Sequence, residues 1–184
     1  KKWEGAEKQI NDAVEKEKEK IKFIEETKQL SDLEFLERYF LDGKIEGNTI
    51  EGSVKQKIDS HLMYRDIDDL FESIEKITGD LNLRDSNIET LPGDLTVEGN
   101  LDLGYTNIKS LPNNLTVGGY LDLNINIETL PEKLTVGGDL DLSGSKIKSF
   151  SKNLTVGGNL GLSRTKIETL PEDLTVGGDL DLSG

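Results

Sequence analysis

From residue 79 onward, aliphatic residues recur in a fixed order about every twenty positions. Leu-x-Leu stands at Leu81/Leu83, Leu101/Leu103, Leu121/Leu123, Leu140/Leu142, Leu160/Leu162 and Leu180/Leu182. An Ile follows at Ile88, Ile108, Ile127, Ile147 and Ile167, and Leu-Thr-Val begins at Leu95, Leu115, Leu134, Leu154 and Leu174. The steps between the Leu-Thr-Val units are 20, 19, 20 and 20, the short one falling in the stretch Leu123-Asn124-Ile125-Asn126-Ile127. Alternation within Leu-x-Leu and Leu-Thr-Val predicts two short strands per unit. Between them lie Gly118-Gly119, Gly137-Gly138, Gly157-Gly158 and Gly177-Gly178, with Glu98-Gly99 in the first unit. These pairs predict a tight corner with positive φ. Leu-Pro at Leu91-Pro92, Leu111-Pro112, Leu130-Pro131 and Leu170-Pro171 predicts a second corner, which Phe150-Ser151 replaces in the fourth unit. A unit this short cannot enclose a core alone, whereas stacked units bury one another's rows. The prediction is a β-solenoid of about five to six coils over residues 79–184.

Two polar columns run through the same repeat. The residue after each Ile alternates in sign, Glu89, Lys109, Glu128, Lys148, Glu168. At a coil spacing of about 4.8 Å this places opposite charges side by side and disfavours a slip of one coil. The outward positions of Leu-x-Leu are Asn82, Asp102, Asp122, Asp141, Gly161 and Asp181, beside Asp80, Asn100, Tyr120, Asp139, Asn159 and Asp179. That sheet is predicted to present an acidic stripe with Tyr120 as its one aromatic.

Residues 1–78 follow a different pattern, predicted to be helical. Trp3 to Leu30 is a long charged helix in which Glu15–Lys18 and Glu17–Lys20 pair at i,i+3. Ser31-Asp32-Leu33-Glu34 is a capping box for a helix through Leu41, ended by Gly43. Asn48 to Glu51 is read as opening another helix with Ile50, Val54, Ile58 and Leu62 on one face. Asp66 is read as starting a last helix carrying Ile67, Leu70, Phe71, Ile74 and Ile77, ended by Gly79. Residues 31–78 are expected to cap the first coil, because an open solenoid end exposes its core. The expected fold class is α+β, an N-terminal helical region capping a C-terminal solenoid.

Composition narrows the chemistry. The 184 residues contain no Cys, one His and a net charge of −14. Absent thiols exclude a disulfide framework, a thiolate metal site and a Cys nucleophile. His61 alone gives no basis for a His-rich metal site and is expected to be structural. Acidity argues against direct nucleic-acid or membrane binding. No phosphate loop, Gly-x-Ser-x-Gly or His-Glu-x-x-His is present. Asp66, Asp68 and Asp69 lack the spacing of a calcium loop. No enzyme activity, metal or cofactor is expected.

Leu140-x-Leu142-x-x-Ser145-x-Ile147 and Leu160-x-Leu162-x-x-Thr165-x-Ile167-x-x-Leu170-Pro171-x-x-Leu174 resemble the short bacterial form of the leucine-rich repeat family. The Leu-Thr-Val-Gly-Gly-x-Leu-Asp-Leu unit is also similar to repeats found in phage and bacterial proteins. The likeness covers residues 80–184 and departs from the family where Ser86, Thr106, Ser145 and Thr165 replace the usual Asn. It implies a stack that binds another macromolecule, and it implies no reaction. A plain β-solenoid is the other reading of the same periodicity.

The expected function is therefore non-catalytic protein binding, in the cytoplasm or, for a phage protein, the host cytoplasm. Asp102, Tyr120, Asp122, Asp139, Asp141, Asp179 and Asp181 are the candidate partner-binding residues, facing a partner with a basic surface. The alternative is an acidic inhibitor that imitates nucleic acid and blocks a host nucleic-acid-binding or defence protein, as some phage inhibitors do. Two routes to a homodimer are open, through the terminal coil or the N-terminal helix. Repeats beyond Gly184 are the other expectation for an uncapped last coil.

Overall fold

The computed structural model describes residues 2–27, 41–55, 74–150 and 154–183. Helix α1 spans Lys2–Thr27. Its alternating charges pair as expected at Glu15–Lys18, 2.7 Å apart, while Val14 and Ile21 are exposed. Strands β1 (Leu41–Glu46) and β2 (Thr49–Lys55) follow. The remaining strands come in pairs of two-residue segments: β3 (Lys76–Ile77) and β4 (Leu81–Asn82), β5 (Thr96–Val97) and β6 (Leu101–Asp102), β7 (Thr116–Val117) and β8 (Leu121–Asp122). They continue as β9 (Thr135–Val136) and β10 (Leu140–Asp141), β11 (Thr155–Val156) and β12 (Leu160–Gly161), β13 (Thr175–Val176) and β14 (Leu180–Asp181).

These pairs wind into a parallel β-solenoid of about five turns. The Thr-Val strands form one column, β3-β5-β7-β9-β11-β13, and the Leu-x-Leu strands another, β4-β6-β8-β10-β12-β14. Equivalent residues lie side by side, Leu101 against Leu121 and Val97 against Val117. Leucines 81, 101, 121, 140 and 160 are completely buried, as are Leu83, Leu103, Leu123 and Leu142. Ile88, Ile108, Ile127 and Ile147 close the third side of the core. Every aliphatic row therefore packs on copies of itself, and no coil holds a core of its own.

The glycine corners work differently from the expectation. Positive φ is not what Gly118 and Gly119 supply. Coils approach so closely there that an added Cβ at Gly118 would collide with the Glu98 carbonyl, and one at Gly119 with the Asn100 side chain. The left-handed residues stand instead just after Leu-x-Leu, at Asp85, Tyr105, Gly144 and Arg164, with φ of 60°, 59°, 74° and 60°. Each belongs to a turn in which the following residue's N–H bonds back to the Leu carbonyl, as Thr106 does to Leu103 at 3.2 Å. The short coil drops one residue at this turn. There Ile125 bonds to Leu123 at 2.6 Å and Ile127 to Ile125 at 2.9 Å, two successive three-residue turns that keep the core columns in phase.

The Ser/Thr position inside this turn is buried at Ser86, Thr106 and Ser145 and half-buried at Thr165. The Thr106 and Thr165 hydroxyls donate to the Leu103 and Leu162 carbonyls, both at 2.8 Å. Among the described residues, the buried hydroxyls of Ser86 and Ser145 have no partner. In the alternating charge column, Lys148 and Glu128 meet across coils at 3.8 Å. Both side chains are largely exposed, so the pair contributes less than about 1 kcal/mol.

The upstream region corrects the helical reading. Residues 41–55 are not helical; they form an antiparallel hairpin with Leu41 opposite Val54 and Glu46 opposite Thr49. Gly47 occupies the first central position of its two-residue turn with φ of 63°, as a primed turn requires. Strand β2 then serves both columns, Thr49-Ile50 pairing with Lys76-Ile77 and Val54-Lys55 with Leu81-Asn82. It acts as an unbroken first rung, and β1 pairs along its length. Ile50 and Val54, assigned from helical spacing to one helix face, are buried because alternate strand residues face the core. Ile74 and Ile77 are likewise core residues, with Ile77 in β3 rather than in a helix ending at Gly79. The expected helical residues 31–40 and 56–73, including His61 and Asp66, Asp68 and Asp69, lie outside the described residues.

Two substitutions test this packing. Ile50→Ala is expected to lower the stability of the whole stack by about 2–5 kcal/mol in urea unfolding monitored by circular dichroism, the cost of a core truncation. An unchanged midpoint would detach the hairpin from the solenoid. Ser145→Ala removes a buried unsatisfied hydroxyl and is expected to raise stability by up to about 1 kcal/mol in the same assay.

Candidate docking face

The outward surface of the Leu-x-Leu column places all seven sequence-predicted residues on one side of the stack. Asp102, Asp122 and Asp141 are register neighbours on successive coils. Gly161 separates Asp141 from Asp181. Asp139, Asp179 and Asp181 are exposed, Asp102, Asp141 and Tyr120 are half-buried, and Asp122 is only 8% exposed.

Local hydrogen bonding explains why Asp and Asn fill these columns. The first oxygen of each Leu-x-Leu carboxylate accepts the N–H two residues on. These bonds are Asp102 with Gly104 at 2.9 Å, Asp122 with Asn124 at 2.8 Å, Asp141 with Ser143 at 2.8 Å and Asp181 with Ser183 at 2.9 Å. Asn82 does the same for Arg84 at 3.0 Å, so an amide serves as well as an acid. The adjacent column forms a ladder between coils. Asp80 accepts the Asn100 N–H, Asn100 the Tyr120 N–H, Asp139 the Asn159 N–H and Asn159 the Asp179 N–H, all at 2.7–2.8 Å. Ser53 of the hairpin begins this ladder by accepting the Asp80 N–H at 3.0 Å.

Sequence reasoning missed two members of the face, Arg84 and Tyr105. The Arg84 guanidinium lies along the column and reaches Asp102 Oδ1 at 3.4 Å and Asp122 Oδ2 at 2.9 Å. It stacks on the Tyr105 ring, 4.7 Å from the centroid. Gly104 makes the passage open, since a Cβ there would strike the guanidinium. The signal was present in the sequence as one cation in the column Arg84, Gly104, Asn124, Ser143, Ser163, Ser183, with a glycine directly after it.

Electrostatics follow this placement. Burial pushes the Asp122 carboxyl above its usual range, and Asp102 and Asp141 add to that, against the Asn124 N–H and Arg84. The Tyr120 phenol is raised, first by burial and then by the Asp122, Asp141 and Asp102 carboxylates. Burial opposes charge on Arg84, but Asp102 and Asp122 outweigh it and keep the guanidinium ionised. Asp181 is held below the usual carboxylate range by the Ser183 N–H and by the Ser163 and Ser183 hydroxyls. Among the described residues, no three His, Cys, Asp or Glu side chains form a group that could hold a metal ion. No described helix is long and apolar enough to cross a membrane.

No family model matches the chain, and no curated protein or solved structure matches it.

The Asp122 environment has a measurable consequence. A carboxyl with a raised folded pKa stabilises the fold below the unfolded value of 3.8, and that contribution is lost as pH rises through the folded value. Asp122→Asn keeps an acceptor for the Asn124 N–H and removes the buried charge. Its melting temperature is expected to equal or exceed that of the native chain at pH 7, with the difference narrowing on acidification toward pH 3.8. A clearly lower value at pH 7 would mean that the Arg84 pair outweighs the cost of burial.

Proposed function

We propose that this protein is a non-catalytic docking scaffold whose acidic Leu-x-Leu face receives a basic segment of a partner protein. The observation that carries this reading is the exposed lower part of the face. There the exposed Asp139, Asp179 and Asp181 project from hydrogen-bonded edges of neighbouring coils. A preformed array loses little conformational freedom on binding, and its charges steer an oppositely charged partner. The leucine-rich-repeat likeness of residues 80–184 supports the same reading, because such stacks present regular surfaces for macromolecules.

The upper part contributes differently. Asp102 and Asp122 are already paired with Arg84. The exposed lower carboxylates therefore carry most of the attraction. Their field weakens with salt, so binding falls as ionic strength rises.

The test is charge reversal. The triple variant Asp139→Lys, Asp179→Lys and Asp181→Lys is expected to lower affinity for the native partner, captured from host extract and then purified, by at least about tenfold. Calorimetry at two salt concentrations measures it, and circular dichroism checks that the fold is intact. Unchanged affinity moves the interface elsewhere. Displacement of the partner by duplex DNA would instead favour the nucleic-acid-mimic reading.

A further inference from the structure

At the lower end of the stack the aliphatic rows lose their cover. Outside α1, the exposed large aliphatic side chains among the described residues are Leu170, Leu180 and Leu182, at 38%, 39% and 60%. One coil up, Leu160 and Leu162 stand in the places of Leu180 and Leu182 and are buried. The backbone edge is open in the same place. Within the stack, Leu160 and Leu162 donate their N–H groups to the Asp179 and Asp181 carbonyls of the next coil, both at 2.8 Å. The Leu154 and Val156 carbonyls accept from Thr175 and Gly177 of that coil, at 3.1 Å and 2.9 Å. The repeat turns the same groups of the last rung off the end of the stack. They are N–H donors at Leu180 and Leu182 and carbonyl acceptors at Leu174 and Val176. Such an edge is a template for a further strand.

This edge is complementary to itself. Turned about a twofold axis through Gly178, two copies run antiparallel, β13 of one beside β14 of the other. Leu180 then lies opposite Val176 of the second copy, and Leu182 opposite its Leu174. The two Leu N–H donors face the two free carbonyls, and the twofold repeats both bonds. On the outward side Asp181 lies opposite Thr175 and Asp179 opposite Gly177, so no carboxylate stands directly across from another. The hairpin supplies the precedent at the other end of the stack. There β1 runs antiparallel on β2, with Ile45 opposite Ile50, Gly43 opposite Gly52 and Leu41 opposite Val54. A Cβ on either of these glycines would strike the backbone of the facing strand. Val176-Gly177-Gly178-Asp179-Leu180 has the same order as Ile50-Glu51-Gly52-Ser53-Val54, with glycine at the centre between two aliphatic residues.

We infer that the open edge of β13 and β14 is a homodimer contact that joins two stacks end to end in one continuous sheet. The occupant is a second copy of this chain, because its edge brings donor to acceptor, aliphatic to aliphatic and glycine to glycine in a single register. The contact uses the same surface of both copies, so it closes as a dimer and does not propagate. It continues the coil-to-coil interface already formed at every rung above. Each copy carries a net charge of −14, so long-range repulsion opposes the approach and added salt favours it. The docking reading predicts the opposite dependence on salt, and this contact does not rest on it.

Sedimentation equilibrium of the full chain at two salt concentrations tests the contact, with circular dichroism to confirm that each variant keeps its fold. The native chain is expected to pass from monomer to dimer with concentration, and more readily at the higher salt. Leu182→Lys is expected to weaken the dimer by at least about tenfold, since it sets a charge against the apolar edge. Thr175→Lys tests the register: it places a cation opposite Asp181 of the second copy and is expected to tighten the dimer about fivefold. Thr155→Lys makes the same change of charge at the equivalent exposed position one coil up and is expected to alter affinity by less than about twofold. A monomer at every concentration would overturn the inference. Equal tightening by the two Thr variants would reduce the effect to net charge and overturn it as well. A dimer that survives Leu182→Lys but is lost in Ile21→Lys would place the contact on α1 and overturn the assignment to the last rung.

Discussion

Burial of aliphatic rows between neighbouring coils is the interaction on which everything else in this chain depends. Within one coil, Leu101, Leu103, Ile108, Leu115 and Val117 have too few partners to exclude water. With a coil above and another below, most of these side chains lose all contact with solvent. Fully burying an aliphatic side chain contributes roughly 1.5–3 kcal/mol, and here the neighbouring coils provide that burial. Stability is therefore a property of adjacency, and it propagates from rung to rung. The same requirement explains the first rung. A solenoid that simply began at β3 would leave Ile77 and Leu81 open, whereas β2 covers both columns at once and places Ile50 and Val54 on top of them.

Close stacking then dictates the polar chemistry of the surface. Coils a strand's width apart leave no space for side chains at the Gly118 and Gly119 corner, and they place each turn's amides beside the next coil's side chains. Asp and Asn at the Leu-x-Leu edge satisfy those amides, either within a turn or up the stack. Much of the acidity thus has a structural origin, and Asn82, Asn100 and Asn159 do the same work without charge. Choosing Asp over Asn at 102, 122, 139, 141, 179 and 181 adds repulsion that hydrogen bonding does not require. Arg84 relieves it at the upper end, and Gly161 interrupts it at the lower end. The residual exposed charge is what a partner would meet.

The hairpin shows how a local pattern can be read two ways. Ile50 and Val54 are four apart, which fits one face of a helix and equally fits two positions on one face of a strand. Glu46-Gly47-Asn48-Thr49 is a hairpin turn signal, and Thr49-Ile50-Glu51-Gly52-Ser53-Val54 matches Thr96-Val97-Glu98-Gly99-Asn100-Leu101 position by position. That copy is obscured because 27 residues, not twenty, separate it from the next. Likewise Lys76-Ile77-Thr78-Gly79-Asp80-Leu81 is a divergent unit in which Lys replaces Thr.

The repeat alone determined the solenoid, the rows that form its core, the two corners and the column of outward acids, because each follows from a period that only stacking can satisfy. Tertiary structure decided the rest. The corner glycines answer to the distance between coils and not to backbone handedness, and the left-handed positions at Asp85, Tyr105 and Arg164 emerge only once the turns close. The Arg84 contact joins residues 38 positions apart that meet because two turns of the stack bring them side by side. No local propensity encodes such a contact, since the spacing that creates it exists only after the coils have packed.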